Sequence, residues 1–141
     1  MKQQNTSAEF YFDEQSADRA VNFIEKFCTH TKGELEKQPF LLEEWQKKDI
    51  IRPLFGWKKA DGTRKYRTCY VEIPRKNGKS NLASAVALYM LFADGEPGAE
   101  VISAAGDRGQ ANIIFNIAQD MIANNPHLRK RAKVLRNSIG Y

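Results

Sequence analysis

Val71-Glu72-Ile73-Pro74-Arg75-Lys76-Asn77-Gly78-Lys79-Ser80 joins an apolar run, 68–73, to an Ala- and Leu-rich segment, 81–93. The first reads as a strand and the second as a helix, with a short polar loop between them. In that order, backbone N–H groups of the loop and the first helical turn converge on one concavity. The helix dipole adds positive potential there, which suits a phosphate. Lys79 would reach the β- and γ-phosphates of a nucleotide, and the Ser80 hydroxyl would ligate Mg²⁺. The general phosphate-loop pattern asks for a glycine where Ile73 stands, and Gly-Lys-Ser alone recurs by chance. The competing reading is a plain turn and helix start with an incidental lysine. The surrounding strand and helix favour the phosphate loop.

At 141 residues, 42% hydrophobic and 28% charged, the chain suits one globular domain and not a disordered tail. Its net charge of +5 is compatible with nucleotide or nucleic acid and specifies neither. Cys28 and Cys69 lie far apart without metal-ligand spacing, and read as buried, reduced thiols of an intracellular protein. No apolar run approaches the roughly 20 residues a membrane helix needs. The N-terminus also lacks the apolar core of a secretory signal, so the cytoplasm is the default expectation.

Before the loop, residues 1–15 read as an arm that docks through Phe10, Tyr11 and Phe12. Ser16 is the expected N-cap of a helix reaching about Thr29, with Ala20, Val21, Ile24, Phe27 and Cys28 at helical spacing. Around Trp45 and Gln46 a short helix is expected to end near Pro53. The plain reading makes Trp45 a core contact and Gln46 a solvated side chain. The sharper one notes that a glutamine amide can pair with adenine N6 and N7, beside an aromatic that shapes the pocket. Asp61-Gly62 predicts a hairpin turn, flanked by Lys58, Lys59, Arg64, Lys65 and Arg67, which read as a solvated face.

After the loop, 99–105 reads as a second strand. A second helix is expected over 110–124, capped by Asp107 and presenting Ile113, Ile114, Ile117, Met121 and Ile122 inward. Strand, helix, strand, helix predicts right-handed crossovers and a parallel sheet. Arg129, Lys130, Arg131, Lys133 and Arg136 form a basic tail suited to phosphate contact or to a solvated helix end.

Four blocks together resemble one family: Phe40-Leu41-Leu42-x-x-Trp45-Gln46, Leu54-Phe55-Gly56-Trp57, Glu72 to Ser80, and Ser103-Ala104-Ala105. In order and spacing they are similar to the large terminase subunit of tailed bacteriophages, the motor that packages DNA into the procapsid. The resemblance implies a RecA-like P-loop NTPase fold, a three-layer α/β/α arrangement with a mainly parallel sheet, preceded by a helical adenine-binding segment. Pro74-Arg75-Lys76-Asn77-Gly78-Lys79-Ser80 looks like the family's deviant Walker A loop, in which the first glycine is not required. Gln46, with Trp45 beside it, falls on the adenine-recognition glutamine. Arg75 falls on the loop arginine that couples nucleotide state to movement, where its guanidinium could stabilise charge on the transferred phosphoryl group. ATP and Mg²⁺ are the implied cofactors. Double-stranded DNA, the portal protein, the small terminase subunit and further copies in a ring are the implied partners.

The organisation this suggests is an arm over 1–15, an adenine-binding segment with a hairpin over 16–65, and the first half of a P-loop core over 66–141. No apolar run ends in Asp-Glu, the pair that would hold Mg²⁺ through water and position the attacking water. The chain is therefore expected to be the N-terminal part of a larger protein with a separate nuclease domain, and by itself to bind ATP without hydrolysing it. Two other classes compete. One is a P-loop kinase or another small NTPase. The other is a nucleic-acid binding module without catalysis, whose mark would be salt-sensitive DNA binding indifferent to ATP.

Overall fold

The computed structural model describes residues 9–74 and 78–140. Strand β1 (Phe10–Phe12) pairs antiparallel with β2 (Trp57–Lys59), Phe12 opposite Trp57 and Phe10 opposite Lys59. Helix α1 (Glu14–Phe27) follows at once. Its cap is Asp13 and not the expected Ser16. Asp13 Oδ1 accepts the N–H groups of Gln15 and Ser16 at 3.1 and 3.2 Å, while Oδ2 accepts the Ser16 hydroxyl at 2.7 Å. A carboxylate offers two acceptors and a negative charge to the positive helix end, where serine offers one neutral oxygen.

Two compact units divide the chain, 1–21 with 42–71, and 22–41 with 72–141, and the boundary falls inside α1. In the first unit, a π-helical turn (Gln46–Ile51) leads into α2 (Arg52–Gly56) and then β2. The helical segment does not stop near Pro53 as expected. Pro53 lies in the first turn of α2, where a missing N–H costs little, and the wider π turn before it resets the hydrogen-bond register. Gly56 is buried against β1: a Cβ there would lie 2.4 Å from Cε2 of the Phe12 ring. Arg52 forks between Glu14 and Asp18, tying α2 to the start of α1. The Asp18 hydrogen bond, helped by both carboxylate charges, raises the Arg52 pKa.

The second unit is built on α3 (Lys79–Phe92) packed against α4 (Arg108–Asn124). Leu82, Ala85, Leu88 and Tyr89 are buried on α3, and Ala118, Met121 and Ile122 on α4. Ile113, expected inward, is 49% exposed, so the buried stripe of α4 begins further along. Asp107 caps α4 as expected, accepting from the Gln110 N–H at 2.9 Å. Pro126 does not simply stop the chain: Asn125 caps a further short helix, α5 (Pro126–Arg131), in which Pro126 takes an N-terminal position. A small antiparallel pair, β3 (Lys133–Val134) with β4 (Ile139–Gly140), completes the chain.

The expected parallel sheet is not found among the described residues, whose two sheets are both antiparallel pairs. Neither 68–73 nor 99–105 forms a strand. A strand exists only with a ladder partner, and among the described residues these runs have none. Tyr70 at 83% and Ile102 at 76% exposure show apolar side chains left on the surface there.

Candidate nucleotide-binding site

The loop between Ile73 and Lys79 belongs to the second unit from Glu72 onward. Arg75, Lys76 and Asn77 lie outside the described residues; Pro74 is exposed before them and Gly78 after them. Gly78 is the N-cap of α3, with φ 74° and ψ 17°. A side chain in that left-handed region clashes with its own backbone, which is why glycine precedes the lysine. Leu82 N–H closes the first turn on the Gly78 carbonyl at 2.9 Å. Among the described residues no side chain caps the helix start, and the N–H groups of Lys79, Ser80 and Asn81 have no helical carbonyl to bond there. The Lys79 ammonium donates to the Ile73 carbonyl oxygen at 3.3 Å and so reaches back across the loop.

One residue that sequence reasoning passed over holds this helix in place. Ser84 is fully buried, and its hydroxyl lies 2.7 Å from the Ser80 carbonyl oxygen and 3.0 Å from that of Ile114 on α4. The available signal was a lone serine inside an apolar helix, one turn after Ser80. Asn81 adds a buried side-chain nitrogen, Nδ2, that has no hydrogen-bond partner among the described residues. A 14-residue helix with no side-chain cap among the described residues, a left-handed glycine and a lysine at the first helical position together make an anion-receptive terminus.

Trp45 and Gln46 belong to the first unit. Trp45 is half-buried, and its indole N–H donates to the Glu43 carboxylate. Gln46 is not solvated, as its plain reading would have it: it is 3% exposed. Its Oε1 accepts the Glu43 backbone N–H at 2.9 Å, at the start of the helical turn.

The basic groups are less free than a solvated face implies. The Lys65 ammonium sits 4.5 Å from the Phe10 ring centroid, 5.1 Å from Tyr66 and 5.3 Å from Trp57. Arg64 lies over Phe55 at 5.6 Å. Arg129, Lys130 and Arg131 occupy the last turn of α5, where cations oppose the negative helix end. Cys28 is buried as expected, which pushes its thiol pKa up to about 12, whereas Cys69 is exposed. Cys69 lies in the run that forms no ladder, so nothing of a sheet covers it.

A left-handed glycine opening a helix whose first residue is lysine, followed by serine, is the signature of a phosphate-binding-loop protein. The chain belongs to the family of terminase large-subunit ATPase domains: the family model described as "Terminase large subunit, ATPase domain" matches residues 44–140. The chain is 32% identical over 114 residues to the large terminase subunit of Enterobacteria phage HK97, covering 80% of this chain and 21% of that protein. The crystal structure of the HK97 bacteriophage large terminase superposes with a TM-score of 0.71 at 27% identity, over 88% of this chain and 24% of that one. The chain thus spans under a quarter of these relatives and shares their P-loop-type fold.

Proposed function

We propose that this chain is the ATP-binding part of a terminase large subunit, a viral DNA-packaging motor. The observation that carries the reading is the start of α3: Gly78 in a left-handed conformation, first-turn N–H groups that meet no side-chain cap among the described residues, and the Lys79 ammonium held within the loop's reach. Lys79 would neutralise the β- and γ-phosphates, and the Ser80 hydroxyl would help hold a Mg²⁺ ion, which would offset phosphate charge. Lys76, Asn77 and Gly78 supply backbone N–H donors, Pro74 fixes the entry to the loop, and Arg75 answers charge developing on the transferred phosphoryl group. Gln46, with Trp45, contacts the adenine base.

In the larger protein, ATP hydrolysis drives double-stranded DNA into the procapsid, and a separate nuclease domain cuts concatemers. There 1–15 serves as an arm, 16–65 as the adenine-binding segment and 66–141 as the first half of the P-loop core. The runs 68–73 and 99–105 take places in a parallel sheet between helical layers, a reading their exposed Tyr70 and Ile102 support. The motor works in the host cytoplasm as a ring of copies, with the portal protein and the small terminase subunit. These 141 residues bind ATP and do not hydrolyse it, since no apolar run ending in Asp-Glu occurs in them.

A fluorescent ATP analogue titrated against the unaltered chain and Lys79→Ala tests the reading. Saturable, Mg²⁺-dependent binding that Lys79→Ala weakens tenfold or more is expected. Equal binding by both proteins rejects the phosphate loop. Strong DNA binding indifferent to ATP would favour a nucleic-acid module instead.

A further inference from the structure

We propose that Ser84 is a positioning residue of the phosphate site: its hydroxyl aims the Asn81 backbone N–H by holding the peptide that carries it against α4. This rests on the nucleotide reading above and adds to that site a residue that touches no ligand.

A hydroxyl has one hydrogen to give. That of Ser84 lies between two carbonyl oxygens, Ser80 at 2.7 Å and Ile114 at 3.0 Å. Neither oxygen needs it. Both sit inside α-helices, where each also meets the N–H four residues on, from Ser84 and Ala118. Serine is moreover a weaker helix former than alanine, and a hydroxyl bonded back to the carbonyl one turn earlier slightly destabilises a helix. Helix stability therefore does not account for this contact.

Direction does. The Ser80 carbonyl and the Asn81 N–H are the two ends of one planar peptide, so whatever tilts the first swings the second. Asn81 is the third residue of α3, and its N–H is one of the first-turn donors facing out of the helix start. A hydroxyl bonded to Ser80 alone would move with α3. The second oxygen belongs to α4 and holds the fully buried hydroxyl from outside its own helix. Donation to the carbonyl also polarises the peptide, which strengthens its N–H as a donor to an anion. A donor already aimed binds phosphate without first having to be ordered.

The test compares the unaltered chain with Ser84→Ala and Ser84→Thr, each titrated with ATP and with inorganic tripolyphosphate in the presence of Mg²⁺. Ser84→Ala leaves both carbonyls their helical bonds and should keep the melting temperature within about three degrees. It should nevertheless weaken ATP and tripolyphosphate alike, about three- to tenfold, as expected when one hydrogen-bond donor is no longer aimed. Equal effects on the two ligands place the loss at the phosphates and not at the base. Ser84→Thr keeps a hydroxyl able to reach the same carbonyl and should bind like the unaltered chain. If its extra methyl prevents folding, the alanine comparison still decides. The proposal is overturned if Ser84→Ala binds both ligands within about twofold of the unaltered chain, or if ATP alone is weakened. It is equally overturned if the affinity of Ser84→Ala falls together with a melting temperature lowered by about six degrees or more, which marks a structural serine. A folded Ser84→Thr that binds as weakly as Ser84→Ala also rejects it. Failure of the nucleotide reading looks different: no saturable ATP binding by the unaltered chain, or none that depends on Lys79.

Discussion

The Lys79 ammonium and the Ile73 carbonyl oxygen stand 3.3 Å apart, so the residue that opens α3 is tethered to the residue that precedes the loop. The bond is exposed and neutral on the acceptor side, and a triphosphate competes for the same ammonium with full negative charge. Replacing Lys79 by Ala should leave the thermal transition within a degree or two, because exposed contacts of this kind contribute little. Replacing it by Arg should preserve folding and still impair binding, since a planar fork does not reproduce a compact point charge. Calorimetry beside nucleotide titration separates the two effects. A large loss of stability in Lys79→Ala would mean the lysine is structural.

Gly56 sets how closely β1 can approach α2. With the Phe12 ring 2.4 Å and the Ala17 Cβ 3.1 Å from the position of an added methyl, Gly56→Ala should destabilise the chain by about 1–3 kcal/mol. Chemical denaturation followed by tryptophan fluorescence measures it, because Trp57 packs edge-on against Phe12 at 5.3 Å. An unchanged midpoint would contradict this packing.

Asp13 links stability to acid. The Ser16 hydroxyl, then the Ser16 N–H, hold its pKa below the usual 3.8. A carboxyl depressed in the folded state contributes stability that is fully present above its unfolded pKa. That contribution is lost as pH falls through the lower folded value. Asp13→Ala should therefore lower the melting temperature at neutral pH, and its difference from the unaltered chain should shrink below about pH 4. Circular dichroism melts across that range would show no difference at neutral pH if the cap were unimportant, and a constant one if its charge were.

The two thiols should part company in a labelling experiment. Cys69 is exposed, while Cys28 is enclosed and its pKa is pushed up to about 12 by burial. Since the thiolate is the reactive form, one equivalent of a disulfide reagent should react rapidly in the folded chain and the second only on unfolding. Two fast equivalents would show that the surroundings of Cys28 open readily.

Sequence by itself fixed what depends on neighbours along the chain. Apolar spacing gave α1, α3 and α4 nearly to their ends, Asp107 announced its helix, and Gly78-Lys79-Ser80 with its flanking blocks pointed to the family. Those features are local: a helix closes its hydrogen bonds within itself, and a left-handed turn asks for glycine wherever it occurs. What only tertiary structure could decide were pairings between distant residues. Phe10–Phe12 became a strand because Trp57–Lys59 lies beside it, while 68–73 and 99–105, better strand formers by composition, found no partner among the described residues. Gln46 was legible as an amide near an aromatic. That it is buried, with its oxygen taken by the Glu43 N–H, depends on atomic geometry, which no spacing of letters encodes.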